Sequence, residues 1–302
     1  MPHNLLAVRE MVEVARRAKT PLQISHLIFV GRRTWPTVSE VLADIDAARN
    51  DGVEVTFDTF PYTGGNTTIR IIFPAWSQDH LAELLDSADG WARLRDSFRP
   101  LSAFIAEGAQ LMWAANASLA HLEGKFFGEI AESLKLDPVE AYLTIARASG
   151  AKARVMMHLY SGDDRHEEAL CAAMAHPLNM FEMDTILTSR QHQNPASFGT
   201  YPKILGHYVR ETGLLSLESA IHKMTGMAAA KMRLRGRGFL RAGYAADLAI
   251  FNRETISCAA DFTHPETAPT GIEHVMVNGS AVVADGKWCG DGVLAGDWLT
   301  RA

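Results

Sequence analysis

NMFEMDTILTSRQHQNPASFGTYPKILGH, residues Asn179 to His207, opens on an apolar run that ends in a carboxylate, Asp184. Polar and small residues follow, and a helical pattern resumes at Tyr201. An apolar strand, an acidic residue at its carboxyl end and a long irregular loop place a charged group at the mouth of an α/β fold. An Asp after a strand also serves as an ordinary loop or helix-capping residue, and the local pattern leaves both roles open.

A second stretch bears on that choice. Leu22 to Val30 reads LQISHLIFV, with His26 inside a nearly continuous apolar run. Parallel strands covered on both faces have this texture. A single histidine there is equally a satisfied core residue. Taken with Asp184, it has the composition of a mononuclear or binuclear zinc site, its ligands far apart in sequence as ligands from different barrel strands are.

The 302 residues allow one large or two moderate domains. Apolar residues make up 47% and charged residues 21%, as in a compact soluble protein. Lys plus Arg number 29 against 35 Asp plus Glu, a net charge of −6 without a long basic run, which speaks against a nucleic-acid partner. No apolar run is long enough for a transmembrane helix, so no membrane role is expected. The first residues lack the pattern of a signal peptide and fit a helix whose face holds Leu5, Val8, Met11, Val12 and Ala15. Cys171, Cys258 and Cys289 have neither metal spacing nor a disulfide framework, and a cytoplasmic location is the expectation.

In chain order, a helix over 4–19 ends at Thr20-Pro21 and leads into a strand at 22–27. Thr37 to Glu40 reads as a capping box for a helix that Asn50-Asp51-Gly52 stops. Val53 to Phe57 is the next strand, followed by Asp58, so helices and strands alternate as over a parallel sheet. The loop FPYTGGNTT, Phe60 to Thr68, suits a close backbone approach to a ligand or a plain tight turn. Residues 77–150 read as a helical insertion, in which Asp137-Pro138-x-Glu140 starts a helix that Gly150 ends. Arg154 to Leu159 is a strand containing His158, and Ser161-x-x-Asp164 is expected to cap a helix reaching Ala175. Past Gly236 and Gly238 the texture turns to β, with a hairpin through Asn278-Gly279. The division expected is 1–237, a partial barrel with its insertion, and 238–302, a small β module.

The runs ISH (24–26), TFDTFPYTGG (56–65), FGTYPKILGHYVRETGLLSLESAIHKMTG (198–226), RGFLRAGYAADLAIF (237–251) and GIEHVMVNG (271–279) resemble the N-acyl-D-amino-acid deacylase (D-aminoacylase) family of the amidohydrolase superfamily. The resemblance implies an α/β fold: the C-terminal part of a metal-dependent-hydrolase TIM barrel, strands five to eight, with a partial β-sandwich module. It implies zinc-assisted hydrolysis of a non-peptide amide. His26 matches the metal-ligating histidine that ends strand five, and Asp184 matches the aspartate after strand eight, a general base beside the metal-bound water. Asp58 stands near the strand-six ligand position. Tyr62, Thr67, Thr68, His192 and Lys203 are the substrate-binding candidates, and a small N-acyl amino acid or related amide is the substrate.

The chain also departs from the family pattern. Its His-x-His pair and metal-ligating cysteine are missing ahead of His26. Met183-Asp184-Thr185 stands where Ser-Asp-Gly is usual, and Asn194-Pro195-Ala196 stands where a His-Pro-Arg would pair with the substrate carboxylate. Lys203, His192 or Arg70 are the candidates to replace that arginine. The expectation is a truncated family member that binds zinc weakly or not at all on its own. It would depend on a separately encoded N-terminal half or self-association, or else would be a non-enzymatic subunit. A start placed inside a longer enzyme is the third alternative.

Overall fold

The computed structural model describes residues 3–185 and 193–300. Its strands, in chain order, are β1 (Leu22–Ile24), β2 (Val55–Thr59), β3 (Gly64–Thr68), β4 (Ala109–Trp113), β5 (Arg154–His158), β6 (Asn179–Phe181), β7 (Leu248–Phe251), β8 (Ile272–Val277), β9 (Ser280–Ala284) and β10 (Lys287–Trp288). They form three sheets among the described residues, ordered β1-β2-β6, β3-β5-β4 and β10-β9-β8-β7.

The first sheet is parallel, with Gln23 opposite Thr56 and Asp58 opposite Met180. Its strand β2 alternates: Val55 and Phe57 are buried, while Thr56 and Asp58 are half-buried on the other face. The buried face packs against two helices, α1 (His3–Ala18) and α2 (Val38–Asn50). Leu5, Val8, Val12 and Ala15 of α1 meet Val41, Ile45 and Ala48 of α2 over Phe57. These spacings put the apolar residues on one stripe of each helix. Met11 does not share the stripe and is 45% exposed. The capping box expected at Thr37 does not form: its hydroxyl donates to Thr34 O at 2.6 Å instead, and α2 starts without a side-chain cap. The strand expected to run to residue 27 ends at Ile24, because His26 adopts a left-handed φ of 40°.

The second sheet is antiparallel and closes a unit of its own. The helices α3 (Leu81–Asp86), α4 (Ala88–Phe98), α5 (Ser102–Gly108), α6 (Phe127–Leu134) and α7 (Pro138–Ala148) pack on it around Tyr142, Phe98 and Leu111. The insertion is therefore mixed rather than helical, and it takes in both ends of the Gly64–His158 span. Arg154–His158 pairs antiparallel with β3 and β4 and does not join the parallel sheet. Asp137 accepts from Val139 N and Glu140 N and caps α7, and Gly150 follows its end at φ 59°.

Helix α8 (Glu168–Ala175) begins later than its expected cap. Ser161 Oγ accepts from Phe29 N at 3.0 Å, and the local turn is held by Asp163, whose Oδ1 accepts from Arg165 N and His166 N. Beyond β6 come α9 (Ala196–Lys203), a π-helical segment (Ile204–Glu211), α10 (Leu217–Met224) and α11 (Gly226–Lys231). Leu170 and Met174 of α8, Phe181, Ile204, Tyr208 and Ala220 share one core there. In the third sheet Asn278 and Gly279, at φ 49° and 79°, make the two-residue turn between β8 and β9. All residues of β7 to β10 are half-buried or exposed.

Candidate functional site

The parallel pairing brings the carboxyl ends of β1, β2 and β6 to one edge of the sheet, and with them His26, Asp58 and the Glu182–Asp184 segment. Asp58 sits at the centre. Its Oδ1 accepts the His26 N–H at 2.5 Å, and its Oδ2 accepts from Gln23 Nε2 at 2.6 Å. Thr56 Oγ1 in turn donates to Gln23 Oε1 at 2.5 Å. The β1–β2 register puts Gln23 and Thr56 side by side, and the period of two puts Asp58 on their face.

Glu182 completes this arrangement and was not foreseen. It leaves β6 beside Asp58, where partial burial and the neighbouring charges of Asp58 and Asp184 push its carboxyl up to about 9. Its Oε1 is shut from solvent, and the carboxyl lies against the Asp58 side chain and the His26 amide. The sequence does hold a signal, since the residue next to Phe181 is the first acidic one after an apolar strand. Asp184 lies further out, exposed, at φ 46°. Tyr160 is close enough for the Asp184 charge to add to the effect of burial, which raises its phenol well above the ordinary range.

The other described candidates make contacts of their own. The Lys203 ammonium lies over the Tyr62 ring, 4.3 Å from its centroid, and 5.8 Å from that of Tyr208. Burial lowers its pKa, and its neighbouring charges are those of Glu167, Cys171, Cys258 and Asp164. Tyr62 is buried with its hydroxyl toward Ala260 O at 3.5 Å. Both side chains are held in packing contacts. Thr67 and Thr68 pair through the backbone with Val155 and Arg154 in β3. The glycines of the same loop serve packing: a Cβ on Gly64 would meet the Phe262 ring at 3.0 Å and one on Gly65 the Tyr160 ring at 3.1 Å. Arg70 donates to Gln78 O at 2.5 Å, and His192 lies outside the described residues. Asn194, in place of the family's histidine, bonds Asn66 Oδ1 and Ala196 N.

The family model described as Amidohydrolase family matches residues 21–283. This chain belongs to the amidohydrolase family. Among curated relatives of this amidohydrolase, a D-aminoacylase of Alcaligenes xylosoxydans xylosoxydans is 29% identical over 282 residues, covering 93% of this chain and 49% of the relative. An N-acyl-D-glutamate deacylase of the same organism is 31% identical over 278 residues, covering 91% and 48%. A solved D-aminoacylase superposes with a TM-score of 0.78 at 28% identity, over 99% of this chain and 54% of the other. An N-acyl-D-glutamate deacylase from Bordetella bronchiseptica, solved with zinc and a phosphonate mimic of the tetrahedral intermediate, gives a TM-score of 0.74 at 25% identity, covering 94% and 52%. The chain spans about half the length of the curated relatives it matches.

Zinc in the Bordetella bronchiseptica deacylase raises the question of a metal here. Three or four convergent donors are the rule for zinc, and among the described residues no group of three His, Cys, Asp or Glu side chains is placed to hold an ion. Asp58 has each oxygen directed to a protein donor. The described residues do not fit a zinc site by themselves. No helix among them is long and apolar enough to cross a membrane.

Proposed function

We propose that this amidohydrolase carries one wall of an amide-hydrolysing site of the N-acyl-D-amino-acid deacylase kind. In this reading β1, β2 and β6 belong to the strand five to eight region of a barrel, and β7 to β10 to a β-sandwich module. Asp184 acts as the general base: its exposed carboxylate takes the proton of the attacking water and passes it to the leaving amine. His26 faces the reacting centre from the end of β1. The observation that carries the reading is the meeting of His26, Asp58 and Asp184 at the carboxyl edge of one parallel sheet, where such folds place their ligands. Zinc is the cofactor the relatives suggest, with further donors supplied by a segment or partner subunit beyond the described set.

Amine release from a panel of N-acetyl-D-amino acids tests this, with the chain alone and together with a His-x-His-bearing segment of the family. Asp184→Asn is expected to lower turnover by about a hundredfold or more while the fold persists. Full activity in that variant would sink the role of Asp184.

A second reading has its own support, because Asp58 accepts from protein donors and, among the described residues, three metal donors do not converge. The chain is then a non-enzymatic or partner-dependent subunit. Amine release that stays at background in every combination, with zinc absent by elemental analysis, would favour it.

A further inference from the structure

A hydrogen-bond chain crosses the open face of the parallel sheet and ends on a strained residue. Thr56 donates to Gln23, Gln23 donates to Asp58, and Asp58 receives the N–H of His26. The Asp58 backbone carbonyl also takes the next amide, Leu27 N–H, at 2.9 Å. Asp58 thus grips two consecutive residues by two different groups. His26, at φ 40°, occupies the left-handed region, which is unfavourable for a residue that carries a side chain. A charge-assisted bond to its amide is of the size needed to hold it there. The imidazole itself is exposed, so its direction is set by this backbone rather than by packing.

We propose that Asp58 is a positioning residue. It fixes the left-handed turn at His26 and so aims the imidazole across the carboxyl edge of the sheet, while Gln23 and Thr56 fix the carboxylate. It is not a metal ligand. This rests on the reading above, in which His26 faces the reacting centre. The Glu182 carboxyl lies against both Asp58 and the His26 amide, so it stands beside Asp58 as a second acceptor near that N–H. Asparagine retains what the role requires, because its Oδ1 can accept the His26 N–H. Its amide can donate to Gln23 Oε1 once Gln23 turns over, leaving the Gln23 amide to face the Thr56 hydroxyl.

The test is amide hydrogen exchange by NMR on the 302-residue chain and its variants. The His26 amide is expected to be protected and shifted downfield in the parent protein. Asp58→Asn should keep that protection within about threefold, and Asp58→Ala should lose about tenfold or more at His26. The amides of Val55 and Phe57 should stay protected in both, which separates loss of the turn from loss of the fold. Gln23→Leu should loosen His26 less than Asp58→Ala does. An unprotected His26 amide in the parent, an Asp58→Asn variant as damaged as Asp58→Ala, or an Asp58→Ala variant with His26 unchanged would each overturn the proposal. These readings involve no turnover, so failure of the deacylase assay leaves them intact.

Discussion

At Gly199 a single hydrogen stands where a methyl group would strike two side chains. A Cβ there would meet the Tyr62 hydroxyl and come within 2.8 Å of Cys258 Sγ. Gly199→Ala is therefore expected to lower stability by about 1–3 kcal/mol, read as a lower midpoint in urea with an unchanged slope. His158 makes a different demand. It is wedged between the Phe126 and Phe262 rings, with Nε2 3.0 Å from Gln110 Oε1, and burial lowers its pKa to about 4. In the unfolded chain the value is near 6.5. Between these two values the unfolded chain binds the proton more readily, so stability is full above the upper one and falls as the pH drops toward the lower. The ceiling of the loss is on the order of 3 kcal/mol. Urea midpoints at pH 7 and pH 5 measure it, and His158→Gln should flatten the difference. An equal pH response in that variant would assign the loss to other groups.

Among the elements, α10 is tied to the sheet through one buried ammonium. Lys223 Nζ donates to Met174 O and His176 O, both at 2.6 Å, just where the last carbonyls of α8 lack helical partners. Asn179 continues the link, with Nδ2 toward Met174 O and Oδ1 accepting from Thr59 Oγ1. The clasp sets β6 against the end of β2, and with it the spacing of Glu182 from Asp58. Lys223→Met leaves Met174 O with only the Asn179 Nδ2 contact and His176 O with only the Asn179 N–H, and should cost about 1–3 kcal/mol. A loss under about 0.5 kcal/mol, the size of an ordinary surface change, would show that water takes over the bonds. Asp137→Ala removes the cap of α7 and should cost about 1 kcal/mol, confined to the insertion unit in hydrogen exchange.

For the molecule as a whole, β1 and β6 are edges of a three-stranded parallel sheet, an arrangement that elsewhere is covered or paired. Apolar side chains stand in solvent near the third sheet, among them Leu240 at 88%, Trp298 at 93% and Leu294 at 94% exposure. Both features favour association, with another copy or with a family segment that supplies the neighbouring strands. Light scattering at micromolar concentration is expected to show species larger than one chain, together with binding of a hydrophobic dye. A monodisperse monomer that leaves the dye free would contradict it.

The amino-acid order by itself determined what depends on neighbours along the chain. The stripes of α1 and α2, the Asp137 cap, the turn at Asn278-Gly279 and the strands before His26, Asp58 and Asp184 all rest on local periodicity or on one residue's backbone preference. Tertiary structure decided what depends on register between distant segments. The placing of Gln23 against Thr56 set Asp58 to accept from Gln23 and from the His26 amide. The pairing of Arg154–His158 with β3 drew a strand out of the parallel sheet and made the expected helical insertion a mixed unit. Packing of α9 laid Lys203 on Tyr62, with Glu167 and Asp164 as its neighbouring carboxylates. Glu182 became part of the site only when β6 was set beside β2. A carboxyl's environment is made by groups from other strands, and no window along the chain contains them.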